Sequence, residues 1–475
     1  MRNLKYYSFF LAMLLAGTAP AYAQDMNEDF EIRGAIKGQY IFEENRDLAQ
    51  NSDDPLNSQA LDARLSLKYS PTDDLSFFVE GRGVASFGDN LSIDPQTGES
   101  SSSDDFLQLR EYWVHYNDLF AVEDLAIQGG RQRIREPYAI WWNNNFDSIR
   151  LRYDSTSFSG FIGAGENQSE YTTDDDDFNE DEQDIARVFA EGSWLLPREN
   201  RFDLRALYEH DYSGTRAIGT SFNQDDDDDE DNQLLWVGAR LHSDLKPLAG
   251  MQDTLFSYRA DAIGVFGDAD TVSSAAGPGN TRIVTAVDNR DVQAYAFDVE
   301  ADLAFKNIPL EPVFTLGYAY GSGDDGTGDD NAFRQTGLQG NSSKIAGVSR
   351  QVHNYGEALR PELSNLHIVT AGTTLNFFEA TDFSVIYHHY QLDEEAGDLR
   401  SNRVRVSPTG TDSHLGDGLD IVLNSDLDEE FELQMPYVDG LSLRSSLGLF
   451  KAGEAYDAGE DEVVVRGLTE IQLSF

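Results

Sequence analysis

The chain of 475 residues has no cysteine, which excludes a disulfide framework, thiolate metal sites and thiol redox chemistry. Histidine is scarce, at eight residues, and none stands at HExxH or a comparable metal-ligand spacing. Beyond the N-terminal two dozen residues no stretch approaches the roughly 18 to 20 apolar residues of a membrane-spanning helix, so a helical bundle in the inner membrane is excluded. Positive charge is also in short supply. With 35 Lys and Arg against 85 Asp and Glu, the formal charge of -50 argues against nucleic acid, whose phosphates need a basic surface. That charge fits a halophilic or marine setting, or an acidic surface that binds cations.

Aromatic residues, by contrast, are plentiful: 21 Tyr, 28 Phe and 5 Trp are too many for a chain unable to form a packed structure. The N-terminus places Arg2 and Lys5 before an apolar run and Ala21-Tyr22-Ala23 as a small-x-small cleavage site. This is the layout of a secretory signal peptide over residues 1–23, leaving residues 24–475 as the folded part.

The dominant pattern is alternation with period two, which marks strands whose faces meet different environments. Phe30, Ile32, Ile36, Tyr40 and Phe42 alternate with Glu31, Arg33, Lys37 and Gln39. Leu65, Leu67 and Tyr69 alternate with Arg64, Ser66 and Lys68, and a turn at Ser70-Pro71-Thr72-Asp73-Asp74 leads to Leu75, Phe77 and Val79. Similar strands recur at 149–154, 295–305 and 441–449, with no helix-period segment of comparable strength. The fold class is all-β.

A soluble sandwich and a closed outer-membrane barrel both satisfy that pattern, and three features favour the barrel. Short turns alternate with long polar loops at 90–104, 167–184 and 214–232. Aromatics such as Tyr40, Tyr69, Phe87, Tyr116 and Tyr153 cluster near strand ends, as an interfacial girdle requires. The chain ends with Ile471, Leu473 and Phe475 on one face, similar to the insertion signal through which the barrel assembly machinery receives Gram-negative outer-membrane barrels. At roughly 25 residues per strand with its loop, the expectation is about 16 to 18 antiparallel strands around a water-filled lumen, with short periplasmic turns and long acidic extracellular loops. Such a barrel contacts outer-membrane lipid and lipopolysaccharide.

The acidic runs, including Asp174-Asp175 and Asp225-Asp226, fall between strands. They read first as a solvated, salt-tolerant surface and secondly as weak Ca²⁺ or other divalent-cation binding at the rim, since none has calcium-loop spacing. No other cofactor is expected. Gly321-Ser322-Gly323-Asp324-Asp325-Gly326 matches a dinucleotide fingerprint, but no helix follows to supply amides, and two aspartates would repel a pyrophosphate. The adjacent His388 and His389 would point to opposite faces of a strand. Outer-membrane enzymes form a second alternative, yet nothing marks a nucleophile.

Five arginines, Arg131, Arg133, Arg135, Arg150 and Arg152, crowd a short stretch of this acidic chain. Assigning the polar face of each strand to the lumen puts a large share of the basic residues, and few of the acidic ones, inside the pore. Leu125 and Ile127 share the parity of Arg131, and a β-bulge at Gly129-Gly130 would reconcile them with opposite faces. On adjacent strands the two arginine sets would form a basic ladder, pairing with lumenal carboxylates or with carboxylates of a passing solute. With Trp141, Trp142 and Asn143-Asn144-Asn145 nearby, the implied solute is an acidic carbohydrate.

Gly130-Arg131-Gln132-Arg133-Ile134-Arg135 followed by Trp141-Trp142, and AFRQTGLQGN from Ala332 followed by YGEALRPELSNLHI from Tyr355, resemble the outer-membrane alginate export family. The resemblance covers essentially the whole mature chain. It implies a monomeric 18-stranded barrel with a basic pathway for a polyuronate, gated by an extracellular and a periplasmic loop. It further implies Arg131, Arg133, Arg135 and Glu136 as pathway residues, together with Glu111 in REYWVHY, and a gating loop within Phe333–Leu366. The acidic loops depart from the family pattern, and uptake of acidic oligosaccharides stands as the alternative to export.

Overall fold

The period-two pattern folds into a single continuous wall. The computed structural model describes residues 29–475 except 49–54, 89–91, 94–99, 102–104, 170, 174–183, 224–229, 249, 278–280, 396, 398, 401, 434, 436–437, 458 and 460–461. The signal-peptide segment and the aspartates Asp174, Asp175, Asp225 and Asp226 lie outside the described residues. The wall strands are β1 (Phe30–Glu44), β2 (Leu56–Tyr69), β3 (Leu75–Gly88), β4 (Phe106–Tyr116), β5 (Leu125–Arg135) and β6 (Asn143–Asp154). They continue as β7 (Phe158–Gly165), β8 (Ile185–Leu196), β9 (Asn200–Asp211), β10 (Glu230–Leu248), β11 (Met251–Ala276) and β12 (Thr281–Phe305). The circuit ends with β13 (Val313–Gly321), β14 (Leu366–Phe378), β15 (Thr381–Leu392), β16 (His414–Asp426), β17 (Gly440–Ala452) and β18 (Val463–Ser474).

Each strand pairs antiparallel with its sequence neighbour, and β18 returns to β1 from Val465↔Glu44 to Ser474↔Ala35, so the sheet has no free edge. Closure satisfies the backbone groups that lipid cannot. The terminal residue takes part: Gly34 and Phe475 exchange backbone hydrogen bonds of 2.7 and 2.9 Å, and the Phe475 ring occupies the space a side chain at position 34 would need.

Alternation sorts the two faces. Phe30 and Ile32 of β1, Phe77 and Val79 of β3, Ile149 and Leu151 of β6, and Val385 and Tyr387 of β15 stand exposed on the outside, an apolar surface far larger than water tolerates. Residues of the opposite parity, such as Arg82 of β3 and His388 of β15, with Asp62 of β2, Arg205 of β9 and Arg240 of β10, are buried on the inside.

The lumen of so wide a barrel would hold water, but two connections fill its upper half. The first is 136–142, between β5 and β6. Trp141 and Trp142 there are 0% and 1% exposed, and the Trp141 ring reaches across to β10, where a Cβ on Gly238 would meet it at 2.4 Å. At about 25 cal/mol per Å², each indole contributes on the order of 4–6 kcal/mol of apolar burial as an upper bound. The second is 322–365, between β13 and β14, whose Phe333, Leu338, Tyr355, Leu359 and Leu363 join the same apolar cluster. Asn143 N donates to Leu338 O at 2.6 Å and Gly340 N to Ala139 O at 2.9 Å, tying the two segments together.

The expected bulge at Gly129-Gly130 is not how the arginine strand resolves its faces. Pairing of β5 with β6 runs from Leu125↔Tyr153 to Arg135↔Asn143 without a register shift. Instead, pairing of β5 with β4 stops at Arg131↔Tyr112, and the end of β5 leaves the wall for the lumen. Segment 171–173 covers the vacated edge of β4, through the bridge Gln108↔Thr172 and the hydrogen bond Thr173 N to Leu107 O at 3.1 Å. The departure starts at Gly130, whose φ of 126° is open to glycine, and where a Cβ would meet Tyr112 O at 2.3 Å. A bulge does occur next door: β4 carries an extra residue opposite Glu80 and Gly81, which leaves Arg110 and Glu111 both beside Glu80.

Gly130→Val should therefore cost on the order of 1–3 kcal/mol of strain or more, since a β-branched residue must adopt that φ. The expected outcome is a reduced heat-modifiable fraction on gels, with Gly129→Ala, where a Cβ meets only Ile149 at 3.7 Å, assembling normally.

Candidate functional site

Beneath the apolar plug lies a cavity of about 410 Å³ between the wall and the lower part of the 322–365 connection. Period-two alternation on β1, β2, β17 and β18 supplies Lys37, Arg64, Arg444 and Arg466 to its lining, and the departing end of β5 supplies Arg133 and Arg135. The connection adds Lys344, Arg350 and Arg360. Against these cations the lining holds only two carboxylates, Asp426 and Glu470. The connection reaches this depth through a small hairpin in which Ser342 and Ser343 pair with His353 and Val352. Ser349 N donates to Asp382 Oδ1 at 3.1 Å, and Arg350 pairs with Asp426, both partners lying near strand ends on the short-turn side.

Two buried glutamates organise the arginines. Glu357 on the connection, 0% exposed, accepts from Arg444 Nη2 at 2.8 Å and Arg466 Nη1 at 3.0 Å, with Arg360 Nη1 at 3.8 Å. Its backbone amide donates to both oxygens of Asp420 at 3.1 Å. Glu43 at the end of β1 accepts from Arg466 Nε at 3.0 Å and from Arg403 at 2.5 and 2.7 Å, with Arg46 at 3.3 Å. Five guanidiniums thus share two glutamates. Burial pushes the Glu357 carboxyl up, but Arg444, Arg360 and Arg466 together outweigh it and hold the group well below the usual carboxylate range. Burial also lowers Arg360, and the neighbouring Arg466 guanidinium lowers it further, so a cation there sits in a repulsive field that an anion would relieve.

The residues singled out from the sequence fall into different places. Arg133 and Arg135 line the cavity. Arg133 Nη2 donates to Asn143 Oδ1 at 2.8 Å and forms no ion pair among the described residues. Arg131 does not reach the cavity: it is buried, bonded to Asp147 at 3.4 Å and to Asn167 at 2.5 Å, and braces the 166–169 segment. Arg150 lies over the Phe161 ring at 5.4 Å, and Arg152 is exposed in a pair with Asp154. The expected ladder is overturned by the register, because Arg131, Arg133 and Arg135 face Asp147, Asn145 and Asn143, while Arg150 and Arg152 face Gln128 and Ala126. Antiparallel pairing sends the two sets toward opposite ends.

Glu136 is the keystone of the first inward segment. Its carboxylate accepts from Ile140 N at 2.7 Å, Tyr138 N at 3.1 Å and Trp141 N at 3.2 Å, and pairs with Arg240 across the lumen. Burial raises its carboxyl, and the Arg240 guanidinium, aided by Arg205, brings it down to about 2. Glu111 lies beside Glu80 and Arg110 and takes a hydrogen bond from the Arg133 amide. Lys344, Arg350, Arg360 and Arg466 were not distinguished in the sequence. All but Arg466 sit on a connection without period-two pattern, so only its tertiary path reveals them.

A closed 18-stranded antiparallel wall with an apolar exterior and a polar interior defines an outer-membrane barrel of the porin type. Solved porins of Pseudomonas aeruginosa share the fold: OpdK aligns over 94% of this chain and 99% of its own, with a TM-score of 0.55 and 10% identity. OccK9 (OpdG) aligns over 94% and 99% with a TM-score of 0.56 and 11% identity. The chain belongs to the alginate export family, whose family model matches residues 30–467. Its relatives include the alginate production protein AlgE of Pseudomonas aeruginosa, 29% identical over 98% of this chain and 96% of that protein. AlgE of Pseudomonas syringae pv. tomato is 24% identical over 96% of each chain, and AlgE of Azotobacter vinelandii 26% identical over 73% of this chain and 72% of its own. Family and fold place the protein in the outer membrane of a Gram-negative bacterium.

Replacing Glu357 by Gln should remove the shared counterion of three arginines and weaken the seat of the connection by about 3–5 kcal/mol. Protease should then cleave within 322–365 while the barrel stays heat-modifiable. The pH dependence follows from the depressed folded-state titration: the contribution is complete above the unfolded carboxyl value of about 4.3 and is lost as pH falls below it toward the folded value. Wild type should resist cleavage at neutral pH and lose that resistance in acid, whereas Glu357→Gln should be cleaved throughout.

Proposed function

We propose that the protein is an outer-membrane channel for export of an anionic polysaccharide, alginate or a related polyuronate, with the basic cavity as part of its pathway. The observation that carries this reading is the cavity lining, nine cationic side chains to two carboxylates in a chain of formal charge -50. Guanidinium groups pair with carboxylates in bidentate fashion, and fixed charge in a narrow, low-dielectric surround acts more strongly than in bulk water. A neutral sugar gains little from such a wall. Membership of the alginate export family supports reading the polymer as a polyuronate and the direction as outward.

On this reading the plugged lumen is a closed state. The 322–365 connection is the gate, because it fills the upper lumen and dips beside the cavity, and the 136–142 segment is its inner seat. Arg133 and Arg135 contact the solute, whereas Glu136 and Arg131 hold the segments that present them. Arg150 and Arg152, also candidates for the pathway, lie away from this cavity, as does Glu111.

Arg133→Glu with Arg135→Glu should reduce or reverse the anion preference of the channel in a planar bilayer and weaken block by polyuronate oligomers by tenfold or more, with heat-modifiability intact. Arg152→Glu serves as the control and should change neither property. Unaltered selectivity and block in the Arg133/Arg135 variant would place the pathway elsewhere.

A further inference from the structure

Alternation puts the adjacent histidines of β15 on opposite sides of the wall: the side chain of His388 is 0% exposed within the lumen, and that of His389 is 39% exposed on the outside. The outer one has company that sequence spacing does not reveal. His389 pairs in register with Asp417 of β16, and His414, the first residue of that strand, stacks on the His389 ring with centroids 5.2 Å apart and planes at 25°. His389 Nδ1 is 2.9 Å from Asp417 Oδ1, and His414 Nε2 is 3.7 Å from Asp417 Oδ2. One donor atom from each of the three lies within 4.8 Å of the others.

We propose that His389, His414 and Asp417 form a binding site for a first-row transition metal ion, Zn²⁺ being the best fit, on the outer rim of the barrel at the long-loop end. Donors on a tetrahedral ion at about 2.0–2.1 Å stand roughly 3.3 Å apart, so the three atoms need only small rotamer shifts to close on one centre. Two imidazoles with a carboxylate favour zinc over calcium, which takes oxygen donors. Stacked imidazolium rings would repel each other, whereas neutral rings turned toward one carboxylate present lone pairs. The tautomer of His414 is set from outside the triad: its Nδ1–H donates to Glu454, just past β17, which leaves Nε2 to accept the metal. A carboxylate behind a ligating imidazole is the usual orienting arrangement around zinc, and Glu454 is therefore a positioning residue. The ion takes the place of the proton His389 Nδ1 shares with Asp417, and that ring carries its proton on Nε2 instead.

Other charges nearby decide the strength. Tyr387 OH donates to Asp417 at 2.5 Å, competing for one oxygen, and Lys451 stands opposite Asp417 in the register with β17. Asp417 and Glu454 outnumber that single cation. Bound metal would staple β15, β16 and the connection after β17, so the site acts on the rim rather than the lumen and is independent of the export reading.

The test is calorimetric titration of the full-length protein in detergent with ZnCl₂ in the presence of excess CaCl₂, which competes for sites built from oxygen donors alone. One ion per chain should bind to wild type, with a zinc absorption-edge spectrum showing two imidazole nitrogens. His389→Gln and His414→Gln should each weaken binding by tenfold or more, and Glu454→Gln by about tenfold through the lost orientation. Equal binding by wild type and the His389→Gln/His414→Gln double variant, a spectrum without imidazole scattering, or displacement of Zn²⁺ by Ca²⁺ would overturn the assignment. Each variant is first checked for heat-modifiability. A variant that fails it is replaced by zinc titration of wild type modified at histidine, where undiminished binding again overturns the site.

Discussion

The interaction on which the interior depends is the sharing of Glu357 among Arg360, Arg444 and Arg466. A carboxylate buried without partners would protonate or drag its segment into water, and three guanidiniums at the end of one lumen wall would repel one another. Each side makes the other tolerable. Glu357 arrives on the connection and Arg444 and Arg466 on β17 and β18, so this exchange of charge fixes where a 44-residue loop can sit, from residue 322 to residue 365. The neighbouring contacts then follow. His353 N reaches Glu357 Oε1 at 3.0 Å, Tyr355 OH reaches Asp298 at 3.0 Å, and Tyr390 OH reaches Tyr355 O at 2.8 Å, placing the aromatic plug against the wall.

The chain separates its charges by environment. Most of the acidic excess falls between the wall strands along the sequence. Many of the basic residues, among them Arg82, Arg205, Arg240, Arg259 and Arg466, are instead buried inside the wall, where screening is weakest. Most lumenal arginines are nonetheless paired: Arg187 with Glu209, Arg205 with Glu191 and Asp203, Arg240 with Glu136 and Asp261, Arg259 with Asp298. Apart from Arg205 with Asp203, two positions apart on β9, these are braces between adjacent strands or across the lumen. The imbalance is local, confined to the sector of β1, β2, β5, β17 and β18, where the cavity lies.

Which parts were legible in the sequence follows from how each is encoded. The wall was legible because alternation is local: Phe30–Phe42, Ser70–Asp74 and the C-terminal Ile471, Leu473 and Phe475 each announce their role within a few residues. Arg133 and Arg135 stood out by the crowding of arginines in 131–152 and by the family resemblance, not by alternation, since their parity matches that of Leu125 and Ile127. The arginine ladder failed because spacing along the chain says nothing about register, and the antiparallel pairing of Gln128 with Arg150 carries the two sets apart. Parity also assumed that a strand stays in the wall. Beyond Arg131 that assumption fails, and alternate residues such as Arg133 and Ile134 then face a cavity and an apolar core that both lie inside the barrel. The cationic face of Lys344, Arg350 and Arg360 was illegible because its placement rests on Glu357 meeting two strands roughly 90 to 110 residues later.

This arrangement also constrains how a closed lumen can open. Dragging the connection into water as a unit would strip Glu357 and the plug from their partners at once, losing apolar burial that wall side chains alone cannot replace. On the proposed reading, a polyuronate offers a less costly route, since its carboxylates are chemically equivalent to Glu357 and Glu43. As successive sugar carboxylates reach Arg466 and Arg444, the glutamates can leave without exposing bare guanidiniums, so solute entry and loop release are exchanges of one counterion for another. An anionic solute is then both cargo and key, whereas a neutral one has no means of lifting Glu357 from its seat.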